Sequence, residues 1–361
     1  MEYEARPIYI DHWPTAPSVS TYGKREKDVR IDPSTGQLYF YKHSDKRYPW
    51  DFWCEVIASK LGQLLGLDVA RYEPAYSKVE ADKYVWGCFS PLLHDPVKGE
   101  EFVHGQSYLQ AWKPGFDTQR GTDHDYELIR KALTLAGAKD MDLQKFHDML
   151  VFDALICNRD RHQENWAIIR SAGTHRSPIL PDRPYKKQGG DTNWFKQLTD
   201  EVMRMLSARL APIYDNGTSL GHNLLESAME EMLSAAGHHK LLKFATGPKS
   251  TAHIRYKGAR LRHDDLLTAI AQIHPKLMVN ALDNVLDKFD KARVEHLLNV
   301  VDIRVMDEAS RAHETLFIQG EYPAVLIQDE YVLSPIRKVF IRELLYLRHQ
   351  ELCKLRELIR A

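Results

Sequence analysis

Hydrophobic periodicity changes character near residue 90, and this change constrains the fold of the 361-residue chain more than any other feature. Up to Phe89 the chain reads as short β-prone runs interrupted by one helix. Val29–Ile31 and Leu38–Lys42 flank the turn cluster Asp32-Pro33-Ser34-Thr35-Gly36, the pattern of a hairpin. Pro49 opens a helix that runs to Leu65, with Phe52, Ile57, Leu61, Leu64 and Leu65 on its apolar face, and Gly66 ends it. Strands are expected at Val69–Tyr76 and Tyr84–Phe89. Strand, strand, helix, strand, strand is the order of a small α/β lobe. From Leu128 the periodicity is helical. Phe146, Leu150 and Ala154 share one face, which Met149, Phe152 and Ile156 widen. Further helices are expected at His222–Ala236, His263–Ile273, Leu277–Asp287, Lys291–Val300 and Ile336–Arg360.

Length and pattern together imply two lobes, a small one over residues 1–90 and a mainly helical one over residues 91–361. Short β-prone segments, Trp166–Ile169 and Ala211–Tyr214, bracket an insert at about 171–208. Its first part is irregular, and a helix is expected at about Trp194–Leu206. Charge is balanced, with Lys+Arg 49 against Asp+Glu 50, so the whole chain has no electrostatic footprint for nucleic acid. No apolar run approaches the roughly 18 residues of a membrane span. Met1 to Asp11 contains no apolar signal core. Cys54, Cys88, Cys157 and Cys353 lack metal or redox spacing and read as buried thiols. These features lead to the expectation of a cytoplasmic protein without direct contacts to nucleic acid or membrane.

The chemistry sits in two polar segments. Cys157-Asn158-Arg159-Asp160-Arg161-His162-Gln163-Glu164-Asn165 follows an amphipathic helix and precedes an apolar strand. Phosphoryl transfer from ATP to a hydroxyl needs a carboxylate to orient the attacking oxygen and accept its proton, and an oxygen ligand for Mg2+ close by. Asp160 suits the first task and Asn165 the second. About fifty residues on, an apolar run ends in Tyr214-Asp215-Asn216-Gly217. Asp215 with Asn165 offers the hard oxygen donors that Mg2+ takes alongside phosphate and water.

These two segments resemble the catalytic and metal loops of HipA-like kinases, especially the shorter, CtkA-like branch. The resemblance extends to Arg47-Tyr48-Pro49-Trp50-Asp51-Phe52-Trp53, to Ile57-Ala58-Ser59-Lys60-Leu61-Gly62, and to the eight residues from Tyr214 to Gly221; it covers roughly residues 20 to 300. It implies a bilobal, protein-kinase-like α+β fold and ATP-dependent phosphorylation of Ser or Thr. It also implies a protein substrate and, for toxin-type members, an antitoxin-type protein partner. His162 would hold the loop by packing and hydrogen bonding, a structural role more than that of a proton carrier. Lys42, at the end of a small-lobe strand, would reach the ATP phosphates, positioned by an acid from the following helix. Asp51 and Glu55 are four apart on that helix, and the residues leave the choice open: Glu reaches further, while the Asp position matches the HipA pattern better. Gly23 and Lys24 lie where a phosphate-covering loop belongs, although the segment lacks the usual three glycines. Tyr84 to Ser90, with Cys88, would form the strand and connection where adenine sits. The chain departs from the pattern in its long insert, and its start close to the kinase-like segment leads to the expectation that the extra N-terminal subdomain of longer HipA toxins is absent. Phosphotransfer to a lipid or small molecule, or a nucleotide-binding scaffold without turnover, are the competing readings.

Overall fold

The computed structural model describes residues 3–16, 27–80, 83–171, 208–248, 250–318 and 327–361. Gly23, Lys24, the insert after Ser171 and the helix expected at Trp194–Leu206 lie outside the described residues.

Five strands form the first sheet: β1 (Ile8–Tyr9), β2 (Lys27–Ile31), β3 (Leu38–His43), β4 (Glu73–Glu80) and β5 (Lys83–Pro91). Their order is β1-β4-β5-β3-β2. β1 runs parallel to β4, and the other pairs are antiparallel. The β2–β3 hairpin closes as its turn residues dictate. Asp32 accepts hydrogen bonds from the Ser34 backbone and from the Ser34 and Thr35 hydroxyls, and Gly36 takes a φ of 71°.

Strand alternation sorts side chains to two faces. Tyr41, Ala75 and Phe89 pack outward with Ile10 and Trp13 in a small separate cluster. Trp86, Cys88 and Tyr76 face the other way and join the main core. There they meet α1 (Asp51–Leu64), a helix buried along its whole length except at Gln63. Such burial on all sides means the helix is sandwiched. Its polar residues are accordingly paired: Ser59 Oγ donates to the Ala70 carbonyl at 2.7 Å and accepts from the Tyr72 N–H at 3.0 Å, and Lys60 pairs with Glu73. Trp53 Nε1 donates to the Tyr331 carbonyl at 2.8 Å and Trp50 Nε1 to the His222 carbonyl at 2.6 Å. The helix is therefore pinned to the second lobe at its start.

That lobe carries a small antiparallel sheet of β6 (Glu100–His104), β7 (Ala167–Ser171) and β8 (Arg209–Leu210). Helices make up the rest: α2 (Gly105–Trp112), α3 (Tyr126–Leu135) and α4 (Asp140–Leu155), followed by Glu226–Leu233, His238–Thr246, His263–Ala271, Pro275–Leu286, Lys291–Val300, Ile303–Ile318 and Pro335–Arg360. No helix among the described residues is long and apolar enough to cross a membrane.

Several expectations shift. The strand expected from Val69 starts at Glu73, and Val69 forms only an isolated bridge to Ile213. The strand expected at Ala211–Tyr214 is instead Arg209–Leu210, because Pro212 has no N–H to extend the ladder. The helix expected from His222 begins only at Glu226, since Leu220 and Gly221 both take positive φ and the chain is still turning. β1, β6 and α2 carry no strong hydrophobic period, so pattern alone does not reveal them.

Candidate active site

Helix α4 delivers the first loop. It ends at Leu155, and Cys157 then adopts a left-handed φ of 54° that turns the chain out. Asn158 is fully buried and organises the loop after it. Its Nδ2 donates to Asp153 Oδ1 at 2.9 Å, and its Oδ1 accepts from the Asp160 N–H and from Thr218 Oγ1, both at 3.1 Å. The Asp160 carbonyl accepts from the His162 N–H at 2.7 Å and from Asn165 Nδ2 at 2.7 Å. Backbone bonds thus hold Asp160 in place, with its neighbour Arg161 turned inward.

Arg161 joins the two loops. It is buried, and its donors reach both oxygens of Asp153, the carbonyls of Asn165 and Tyr214, and Asn216 Oδ1. Of these four partner residues, Asp153 and Asn165 belong to the first loop and its helix, and Tyr214 and Asn216 to the second loop. A buried arginine satisfied in this way is a rigid joint. Removing one member of a buried ion pair typically costs about 3–5 kcal/mol, because the other charge is left uncompensated. Burial opposes the charge of Arg161, but Asp153 outweighs it and the guanidinium pKa is raised. Sequence reasoning passed over Arg161, Asp153 and Asn216. The available signal was a second arginine inside an otherwise displayed polar loop.

The second loop follows β8 and is held in place by the 68–70 segment. Ala70 donates its N–H to the Ile213 carbonyl and Ile213 donates to Asp68, both at 2.8 Å. Asp215 follows in a left-handed conformation, φ 56°. For a non-glycine residue this is uncommon, and Asp tolerates it better than most. Lys42 Nζ donates to Asp215 Oδ1 at 2.6 Å and to Glu55 Oε1 at 2.6 Å. Glu55 Oε2 accepts from the Asn216 N–H at 2.7 Å. Gly217 lies against the same carboxylate, and a Cβ there would sit 3.1 Å from Glu55 Oε1. One glutamate from α1 therefore ties β3 to the second loop.

Glu55, not Asp51, pairs with Lys42. Asp51 is the first residue of α1, one turn further back, and its Oδ1 accepts from the Asp45 N–H at 3.3 Å. The extra methylene and the extra turn bring only Glu55 under the lysine. Cys88 stands opposite Lys42 on β5 and is buried. The segment from Tyr84 to Ser90 is strand throughout rather than strand plus connection: Leu92 still donates to the Leu38 carbonyl, so the link to the second lobe starts at Leu93. One nitrogen of Arg161 bonds the backbone carbonyls of both Asn165 and Tyr214, so the two loops run side by side where Asn165 and Asp215 stand.

Histidines line the far side of the first loop. His162 Nδ1 accepts from the Glu164 N–H at 3.2 Å, a bracing role. Its ring lies edge-on to His253 at 5.9 Å, and His253 lies 5.6 Å from His124. His124 Nε2 accepts from Trp166 Nε1 at 3.0 Å. Burial, then the neighbouring His162, depresses His253 to about 4, and burial depresses His147 in α4 to about 4. Both are neutral in the fold, whereas the unfolded chain takes up protons below the ordinary value of 6.5. Stability present at neutral pH is therefore lost as pH falls from 6.5 toward 4. Each histidine is expected to remove about 2 kcal/mol by about pH 5. Guanidinium unfolding at neutral pH and at about pH 5 should differ by about 4 kcal/mol from this pair, and His253→Gln should flatten the dependence. Equal stability at both pH values would contradict the assignment.

The solved structure of a Helicobacter pylori proinflammatory kinase, CtkA, matches this fold with a TM-score of 0.64 and 17% identity, covering 98% of each chain. A golgi casein kinase aligns over 97% of this chain and 73% of its own at 12% identity and a TM-score of 0.34, too low to establish a common fold. No family model and no curated protein matches the sequence. The fold is α+β and bilobal, of the protein-kinase-like kind, with a sheet-based first lobe and a mainly helical second lobe.

Proposed function

We propose that this chain is an ATP-dependent protein kinase of the HipA-like kind, on its shorter, CtkA-like branch, transferring the γ-phosphoryl group of ATP to a Ser or Thr hydroxyl. The observation that carries the reading is Lys42 held between Glu55 and Asp215, with Arg161 coupling the Asp160 loop to the Asp215 loop. A cation from a sheet, an acid from the next helix and a second acid from the later loop are parts phosphoryl transfer needs.

The donor set fits Mg2+. Asn165 Nδ2 is committed to the Asp160 carbonyl, which turns the Asn165 Oδ1 the other way. Asp215 adds a carboxylate, and both are hard oxygens. When bound, the ion would neutralise phosphate charge and align the phosphates. Lys42 then binds phosphate oxygens, held in place by Glu55. Asp160 orients the substrate hydroxyl and takes its proton as the new P–O bond forms and the bond to the ADP leaving group breaks. Arg161 and Asn158 hold the loop so that this carboxylate is preorganised. Gly23 and Lys24, which lie outside the described residues, are proposed for the phosphates, and Cys88, buried opposite Lys42 on β5, for the base. A protein substrate and an antitoxin-type partner complete the reading, in the cytoplasm and without direct nucleic-acid or membrane contacts.

Incubation with γ-labelled ATP and a mixed protein extract tests it. Label should appear on Ser or Thr of protein, only with Mg2+, and should fall sharply in Glu55→Gln, which removes the negative charge that holds Lys42 from the helix side. Label recovered in lipid or in a small molecule, or nucleotide bound without any transfer, would replace this reading with one of its competitors.

A further inference from the structure

From Thr251 to Arg262 the chain folds back on itself, with bridges Thr251–Arg262 and Tyr256–Ala259 and a tip of Lys257 and Gly258, both at positive φ. The segment contains Arg255, Lys257, Arg260 and Arg262 and no acidic residue. Its location matters. Arg260 Nη2 donates to the carbonyl of Arg159, the residue before Asp160, at 3.4 Å. The Arg255 N–H donates to the His124 carbonyl at 2.9 Å, and His253 packs edge-on against His162. The hairpin thus borders the loop that displays Asp160.

Its charge is not balanced internally. Arg262 is neutralised by a two-pronged pair with Asp265 at 2.6 and 2.7 Å. Arg255, Lys257 and Arg260 make no ion pair among the described residues. The arginines donate to carbonyls instead: Arg255 Nη1 to Gly258 at 3.0 Å and Arg260 Nε to Ala252 at 3.1 Å. Asp125 touches the hairpin, but its oxygens accept from the backbone N–H groups of Gly258 and Glu127. Arg159 adds another guanidinium, lying over the Phe244 ring at 5.7 Å. Burial, and then the like charges of Arg255 and Arg159, lowers the Arg260 pKa, and the nearby Asp160 carboxylate offsets this only in part. An anion placed among them would relieve that repulsion, and a carboxylate matches the fork of a guanidinium.

The surroundings select the kind of anion. The formal net charge is −1, so the total charge gives no general attraction for a nucleic-acid backbone. The cationic patch is one hairpin wide and adjoins the residue assigned to the substrate hydroxyl. An extended peptide advances roughly 3.3 Å per residue, so a side chain within about three residues of the target hydroxyl reaches such a patch.

We propose that the 251–262 hairpin selects protein substrates bearing an acidic side chain close to the phosphorylated Ser or Thr, with Arg255 and Arg260 as the carboxylate-binding residues. This rests on the protein-kinase reading above and gives its substrate class. The test uses short fluorescent peptides with one Ser flanked by Glu, Ala or Lys. Binding by anisotropy and phosphoryl transfer are measured separately, for the full chain and for Arg255→Ala/Arg260→Ala, Arg260→Lys and Arg260→Glu, with melting temperature as the fold control. The Glu peptide should bind wild type best, and the double variant should lose roughly tenfold of that affinity while leaving the Ala peptide unchanged. Arg260→Lys, which keeps charge but not the fork, should fall between. Arg260→Glu should shift preference toward the Lys peptide. Equal wild-type affinity for the three peptides, or an equal loss for all of them, overturns the proposal. So does oligouridylate binding that depends on the same arginines when no peptide preference exists. Glu-selective binding without transfer would keep the hairpin as an acidic-peptide site but sink the kinase reading; transfer without selectivity would sink the proposal and keep the kinase reading.

Discussion

Asp160→Ala is expected to lower phosphoryl transfer by about 100-fold or more, the usual contribution of a positioned general base, while Mg-dependent ATP affinity stays near the wild-type value. The geometry explains why the fold should tolerate the change. The loop is held through the Asp160 backbone, by Asn158 Oδ1 on its N–H and by Asn165 Nδ2 and the His162 N–H on its carbonyl. Alanine keeps all three bonds. Its effect should appear in turnover and not in nucleotide binding, because the carboxylate meets the incoming hydroxyl only on the way to the transition state. The competing account makes Asp160 a local cap, whose loss costs about 1 kcal/mol of stability and leaves chemistry untouched. Melting temperature and phosphate transfer, measured on the same preparations, separate the two. A variant that melts early but transfers at the wild-type rate per folded molecule would end the catalytic assignment.

Asp215→Asn is expected to weaken Mg-dependent ATP binding on the order of 100-fold, about 3 kcal/mol, because it removes the charged ligand. Asparagine is the better probe than alanine here. Asp215 sits at φ 56°, which Asn tolerates and Ala resists, so a failure of Asn cannot be ascribed to backbone strain. The substitution also frees Lys42 from one of its two acids, leaving Glu55. ATP measured without Mg2+ should therefore bind as well as to wild type or better, since a negative charge facing the phosphates is gone. Calorimetric titration with and without the ion gives both numbers. An unchanged Mg2+ dependence would refute the role.

Much of the frame was legible in the sequence. The hairpin at β2–β3 follows from its turn chemistry, α1 and α4 from apolar residues at helical spacing, and β5 from its aromatic and β-branched run. The order of the two polar loops, each beside apolar segments, was legible too. These features depend on neighbours a few residues apart, where propensity and period act directly. Pro212 could also have been read as the end of a ladder, since a missing N–H is a local property. Two-residue strands such as β1 and β8 have no period to read, and only pairing partners elsewhere in the chain create them.

The sequence by itself determined the chemistry on offer: a lysine at a strand end, two acids on one helix face, an Asp-to-Asn loop and a second Asp at the end of an apolar run. It determined the two-lobed order as well, through the change of period near residue 90. Tertiary structure decided which of these groups meet. Asp51 and Glu55 are equivalent by helical spacing, and only the docking of α1 under β3 and against the second lobe puts Glu55 beneath Lys42 and within reach of the Asn216 N–H. The Lys42–Asp215 contact spans 173 residues, and the Arg161–Asn216 contact spans 55. The histidine row unites positions 124, 253 and 162 in the same way. Local energetics choose the conformation of each segment. The partners of a buried charge are chosen by packing, because a charge taken out of water must find whatever opposite group the completed core brings beside it.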